Sequence, residues 1–204
     1  MQNREFRDLE YELLELDTNI CHKKASFSKI NESWINRDDS KNLIKAIKTS
    51  FNGKIINSVI EPGIYTASKF NNSIYNSELS NSKLSGSKFS NNVIKSTFDM
   101  NNMRGIVANN ISMEATSFFG SDLFKAKMNK TDLSNCDLES TNLEMAEFRY
   151  SNLSNTLIDK VNNLTNAIFY ETVVDESTYN KIWNEFSNRG IYLHTRTQDY
   201  FKIV

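Results

Sequence analysis

From residue 98 onward a large apolar residue returns every five positions: Phe98, Met103, Ala108, Met113, Phe118, Leu123, Met128, Leu133, Leu138, Leu143, Phe148, Leu153 and Ile158. Two positions ahead of each runs a second series: Ser96, Asn101, Ile106, Ile111, Thr116, Ser121, Ala126, Thr131, Cys136, Thr141, Ala146, Ser151 and Thr156. Nearly all of these are small. The positions between are mostly Asn, Ser, Lys, Glu and Asp. Helices repeat every 3.6 residues and strands every two, so neither produces this beat. Upstream it continues one residue out of phase, at Ile74, Leu79, Leu84, Phe89 and Ile94 over Asn72, Ser77, Ser82, Ser87 and Asn92. Another slip gives Ile55, Ile60, Tyr65 and Phe70 over Gly53, Ser58, Gly63 and Ser68. After a six-residue step come Leu164, Phe169 and Val174. The total is about 25 units, and repeats of this kind are read before single residues.

A period of five fits one side of a square coil. Four units, about 20 residues, then close a turn, and coils stack about 4.8 Å apart through parallel strand hydrogen bonds. The large residue fills the axis, the small one occupies a corner, and the other three face water. This predicts roughly six coils and a rod about 30 Å long. Phe98, Phe118, Leu138 and Ile158 form one interior ladder, and Met113, Leu133 and Leu153 another. The four-residue steps at 70–74 and 94–98 and the six-residue step at 158–164 fall at corners. At Ile106–Ala108 and Ile111–Met113 the large and small roles blur, which predicts a bulge or a widened coil. On the outside, Lys127 lies against Glu147, Asp122 against Asn142, and Glu139 against Asp159.

The flanks read differently. In residues 1–52, Phe6, Leu9, Leu13, Leu14 and Leu16 follow helical spacing, as do Leu43, Ile44, Ile47 and Phe51. Asp39 or Ser40 is placed to cap the second stripe and Gly53 to stop it. Residues 21–38 carry no assignable pattern. In residues 175–204, Asp175 caps a helix bearing Tyr179, Ile182, Trp183 and Phe186, Gly190 ends it, and an extended tail follows. A stack of coils has two open ends that need covering, and these helices are placed to do so.

The units "TDLSN", "CDLES", "TNLEM" and "SNLSN" resemble the pentapeptide repeat family, whose consensus is a small residue, Asp or Asn, Leu or Phe, then two variable positions. The resemblance spans residues 53–174. It implies an all-β solenoid, a right-handed quadrilateral β-helix, here with α-helical N-terminal and C-terminal caps, in a protein of bacterial origin. Some members mimic DNA and dock on topoisomerase, and some place such a β-helix in a secreted effector. In some, a C-terminal segment makes the dimer, a role that Tyr179, Trp183 and Phe186 would take.

Charge and chemistry narrow the reading. Net charge is −1, which gives no global attraction to nucleic acid or anionic membrane. No apolar run reaches the roughly 18 residues that a membrane span needs, and the charged N-terminus lacks a signal peptide. The two cysteines, Cys21 and Cys136, lie far apart, so no disulfide framework is indicated. A bacterial cytoplasm is expected, with signal-peptide-independent secretion the other route. The two histidines, His22 and His194, sit on opposite flanks. Cys21–His22 is the one nucleophile–base pair, and reads as an ordinary surface or cap pair. Cys136 falls at a small inward position. Gly-rich phosphate loops, HExxH, GxSxG and cysteine clusters are all missing. Neither enzyme nor cofactor is expected.

What remains is surface. Asp132, Asp137, Glu139, Glu144 and Glu147 form an acidic stretch, but residues 55–174 hold 12 acids and 10 bases. Phe119 and Phe124 occupy outward positions, as do Tyr75, Tyr150 and Tyr170. The expected function is protein–protein contact without catalysis, with Phe119, Phe124, Asp137, Glu139, Glu144 and Tyr150 as the candidate surface. A topoisomerase-binding DNA mimic and a secreted effector or effector fragment are the alternatives.

Overall fold

The computed structural model describes residues 53–186 except 57, 58, 61 and 159, together with the short segments 14–16, 20–21, 24–25, 36–38, 43–45, 49–51, 196–197 and 200–203. Four parallel ladders run along it, one for each side of a square coil. The first side stacks Leu14–Leu16, Thr49–Phe51, Lys69–Phe70 and Lys88–Phe89, then single rungs at Val107, Lys127, Glu147 and Ile168. The second stacks Ile20–Cys21, Ile55–Ile56, Ile74–Tyr75 and Val93–Ile94, and continues through Ser112, Asp132 and Asn152 to Thr172–Val174. The third runs from Lys24–Ala25 and Val59–Ile60 through Glu78, Thr97, Ser117 and Asp137 to Leu157. The fourth runs from Leu43–Lys45 and Gly63–Ile64 through Lys83, Asn102, Asp122 and Asn142 to Asn163.

The interior is the five-beat. Every centre from Phe98 to Ile158 is buried, and so is every small partner from Ser96 to Thr156. Both expected ladders are present, because their flanking rungs pair in that order. Upstream, Phe51, Phe70 and Phe89 stack face to face with centroids 4.7 and 4.9 Å apart, close to the coil spacing. Flat rings stacked at that repeat suit a square axis, and dense filling is what interior stability requires.

Three expectations need correction. First, the helices expected in residues 1–52 are not found at the described positions. Leu14–Leu16, Leu43–Lys45 and Thr49–Phe51 are strands, and Ile44 and Phe51 pair on Gly63 and Phe70. The first coil also carries a hairpin, Asn36–Asp38 antiparallel to Leu43–Lys45. Steps of three and four residues around these corners imitate a helical stripe. Phe6, Leu9, Leu13, Asp39, Ser40 and Ile47 lie outside the described residues. Second, Val93 rather than Ile94 is the inward residue, and Asn92 is exposed. Val93 stacks on Ile74 and Ile74 on Ile55, so the short steps 51–55, 70–74 and 89–93 share one corner. These early coils repeat every 19 residues; later ones repeat every 20. Third, no bulge forms at Ile106–Ala108, where Val107 pairs with both Lys88 and Lys127. The ladder is altered only in the second expected stretch, Ile111–Met113, where the Ser112 N–H is taken by the Asn92 side chain at 2.9 Å.

At the far end a helix spans Glu176–Phe186. Asp175 caps it, accepting from Thr178 N–H (3.0 Å) and Thr178 Oγ1–H (2.9 Å). Ile182 is buried against the last coil, and Thr178 Oγ1 donates to the Thr156 carbonyl (3.2 Å). The tail returns as Tyr200–Ile203, antiparallel to Thr172–Val174, with Arg196–Thr197 beyond it. Both pieces occupy backbone that an open coil end leaves unpaired. No described helix is long and apolar enough to cross a membrane.

Candidate interaction surface

The repeat dictates what its polar residues can do. Each centre is followed by a tight turn. Phe118 O accepts from Ser121 N–H at 3.0 Å, and the third residue of that turn, Gly120, has φ +66°. Met100, Asn110, Ala115, Lys125, Lys130 and Asn135 take the same left-handed place at φ +54 to +60°. A positive φ there is the signature of a type II turn.

Where the residue just before a centre is Asp or Asn, it closes this turn. Asp122, Asp132 and Asp137 accept through Oδ1 from the N–H two residues on: Phe124 (3.1 Å), Ser134 (3.0 Å) and Glu139 (2.8 Å). Asn142, Asn152 and Asn163 do the same for Glu144, Ser154 and Thr165. This is an Asx turn, which either Asp or Asn forms. It explains the DL and NL pairs without any chemistry.

The small inward residue has its own task. Ser151 Oγ donates to the Met128 carbonyl (2.7 Å) and accepts from Thr131 N–H (3.1 Å). Ser121 and Thr156 donate likewise to Phe98 and Leu133. A buried corner leaves backbone groups that need partners, which favours Ser and Thr there. Cys136 holds the same place, with Sγ 3.0 Å from the Met113 carbonyl. Burial pushes its thiol up to about 12, assisted by the charges of Asp132, Asp137 and Glu114, although a hydrogen bond from the Thr116 backbone opposes this. Such a thiol stays protonated and is a poor nucleophile.

The acidic stretch is largely engaged within the chain. Glu139 lies 3.5 Å from Lys160 Nζ, Glu147 3.7 Å from Arg149 Nε, and Glu144 accepts from Asn163 Nδ2 at 3.2 Å. Asp132 also accepts from Asn152 Nδ2 (3.0 Å). Lys127 pairs in register with Glu147, and Asp122 with Asn142, as expected. Asp159, the expected neighbour of Glu139, lies outside the described residues, as do His22 and His194. Among the described residues no cluster of His, Cys, Asp and Glu could hold a metal ion.

The structure groups the six candidate surface residues unequally. Glu139 follows Phe119 by one coil at one corner of the fourth side, and Glu144 follows Phe124 at the next corner. Asp137 lies on the adjoining third side. Tyr150 is elsewhere, at the corner of the first and second sides, where its ring meets Tyr170 edge to face at 5.5 Å. Phe119 is 39% exposed and Met100, one coil earlier at the same corner, is 59% exposed. The Met100 sulfur lies over the Gly120 backbone, within 2.4 Å of where a Cβ there would sit. Phe124 is only partly exposed, because the Arg104 guanidinium covers its ring at 4.0 Å. Arg104 also binds Asp122 at 2.8 Å. Met100 and Arg104 therefore complete a surface that the five-beat indicated only through its two phenylalanines. An exposed Met at a turn position and an Arg one coil from a Phe were the available signals. Tyr179 packs partly buried against its own core, while the Trp183 and Phe186 side chains lie outside the described residues.

Residues 116–156 match the family model of pentapeptide repeats, in 8 copies. No curated protein sequence matches the chain. Among solved structures, a trypsin-treated variant of QnrB1, a plasmid-mediated fluoroquinolone resistance protein, has a TM-score of 0.51 at 10% identity, covering 90% of this chain and 92% of that one. HetL, a pentapeptide repeat protein involved in heterocyst differentiation regulation from the cyanobacterium Nostoc, has a TM-score of 0.48 at 14% identity, covering 63% and 70%. A pentapeptide repeat protein from the thylakoid lumen of Arabidopsis thaliana has a TM-score of 0.37 at 19% identity, covering 44% and 59%. The first of these likenesses concerns the fold alone. The family match falls on the coils with the most regular turns, and residues 116–156 carry pentapeptide repeats.

Proposed function

We propose that this chain is a non-enzymatic contact rod of the bacterial cytoplasm, which binds a protein partner through the surface formed by Met100, Arg104, Phe119 and Phe124. The observation that carries this reading is the division of labour in the repeat. The Asp and Asn before the centres close turns, and the small residues satisfy corners. Cys136 is buried. Phe119 and Met100, by contrast, place apolar area in water where the coil does not require it. Aromatic residues, Met and Arg are also the types enriched at the centres of protein interfaces. Affinity capture from the native host, with Phe119→Ser/Phe124→Ser beside the wild type, tests the reading. Capture that persists unchanged in the double variant would sink it.

A topoisomerase-binding DNA mimic is the second reading, favoured by the carboxylates on consecutive units from Asp132 to Glu147. A phosphate mimic needs carboxylates directed outward and unengaged, whereas these close turns or meet Lys160, Arg149 and Asn163. A gyrase supercoiling assay in which the protein neither inhibits nor protects the enzyme from drugs would end this alternative. A C-terminal homodimer through Tyr179, Trp183 and Phe186 is checked by solution mass with and without residues 175–204.

A further inference from the structure

The chain passes each side once per coil, so the first and third sides face opposite directions. Over residues 69–137 their outward residues differ in sign. The first side presents Lys69, Lys88 and Lys127, with Val107 between them. Lys69 pairs directly with Lys88, and like charges in register are unfavourable. The third side presents Glu78 and Asp137, and the corner after it presents Asp99, Phe119 and Glu139. Lys160, on that same corner, comes one coil beyond Glu139.

We propose that a second copy of this chain docks side by side, axis parallel, with its third side against the first side of its neighbour. A sideways shift keeps the coils level, so residues of one coil meet residues of the same coil. Lys69 then opposes Glu78, and Lys88 opposes Asp99. Next, Val107 opposes Phe119, Lys127 opposes Asp137, and Glu147 opposes Lys160. Each level joins opposite charges or two apolar groups. Lys69 and Lys88, which pair on one another, each gain an acidic neighbour. A net charge of −1 leaves little global repulsion against association.

The two surfaces are different, so the contact is heterologous and does not close on itself. It builds open rows of rods rather than a fixed dimer. Its charge pairs are exposed, so association is weak and falls with added salt. This goes beyond the partner-binding reading: Phe119 takes part in both contacts, and because the test leaves Phe119 and Phe124 unchanged, its failure leaves that reading standing.

The test is sedimentation of the full chain at low and high ionic strength, for the wild type, Lys88→Glu/Lys127→Glu, Glu78→Lys/Glu139→Lys, and an equimolar mixture of the two variants. Thermal melts confirm folding. The expected result is salt-sensitive association of the wild type, roughly tenfold weaker in either variant alone, and restored as pairs in the mixture, where the unchanged third side of the first variant meets the unchanged first side of the second. A wild type that stays monomeric at low ionic strength overturns the proposal. So do variants that associate as well as the wild type, or a mixture that stays monomeric. If a reversal prevents folding, Lys88→Gln/Lys127→Gln replaces it. Weakened association then supports the proposal, and unchanged association overturns it.

Discussion

Asp137 separates a structural carboxylate from a functional one. Its Oδ1 accepts the Glu139 N–H at 2.8 Å, inside the turn that follows Leu138. Its in-register neighbours are Ser117 on one side and Leu157 on the other, so no opposite charge is paired directly with it. Asp137→Asn keeps the acceptor and loses the charge. Asp137→Ala loses both. A hydrogen bond of this kind contributes about 1 kcal/mol net, so the Ala variant is expected to lose about that much and the Asn variant under about 0.5 kcal/mol. For a chain of this length that is a shift of about 2–4 °C for Ala and little for Asn. Thermal unfolding followed by circular dichroism reads both. Asn as harmful as Ala would mean that the charge, not the turn, is what the position needs. An Ala variant as stable as the wild type would refute the turn-closing role.

The other expectations concern the interior and the turns. Leu138→Ala opens a hole in the Phe98–Phe118–Leu138–Ile158 ladder, where the side chain is fully buried, and should cost about 2–5 kcal/mol in denaturant unfolding. Ala115 has φ +54°, so Ala115→Gly should stabilise by about 1 kcal/mol, the reverse of its effect inside an ordinary helix or strand. Gly120→Ala should destabilise, because φ is +66° and the new Cβ meets the Met100 sulfur; melts of the two variants should move in opposite directions. In a Cys21→Ser background, the Cys136 thiol should react with a disulfide reagent only after unfolding. Its pKa is raised to about 12 from 9.0, so the stability that it contributes is complete below about pH 9 and is lost as pH climbs towards 12. A melting temperature that is flat across that window in wild type relative to Cys136→Ala would contradict this.

The rod was legible where the interior admits one choice. A large apolar residue fills the axis and a small one the corner, with Ala108, Ile106 and Ile111 as the exceptions, so Phe98 to Ile158 could be placed from the beat alone. Val93 and Ile94 could not be separated that way, because both are β-branched and apolar. The stack on Ile74 and a repeated four-residue corner decide between them. Around Leu43, Ile44 and Phe51 short corner steps coincide with helical spacing, and only pairing to the next coil reveals strands. The five-residue spacing marks the aspartates only as water-facing flank. Their engagement with the N–H two residues on is a matter of turn conformation, which depends on φ at the following positions. The Arg104–Phe124 contact spans a whole coil, so no local pattern announces it.

In the proposed division of labour, apolar and aromatic surface makes the contact, and the carboxylates build the coil. The most direct measurement compares capture of the native partner by three proteins: wild type, Phe119→Ser/Phe124→Ser, and Asp132→Asn/Asp137→Asn/Glu144→Gln. The account predicts equal capture by the wild type and the charge-neutralised variant, and loss with the serine variant. Loss of the partner on neutralising the carboxylates, with capture retained by the serine variant, would contradict it.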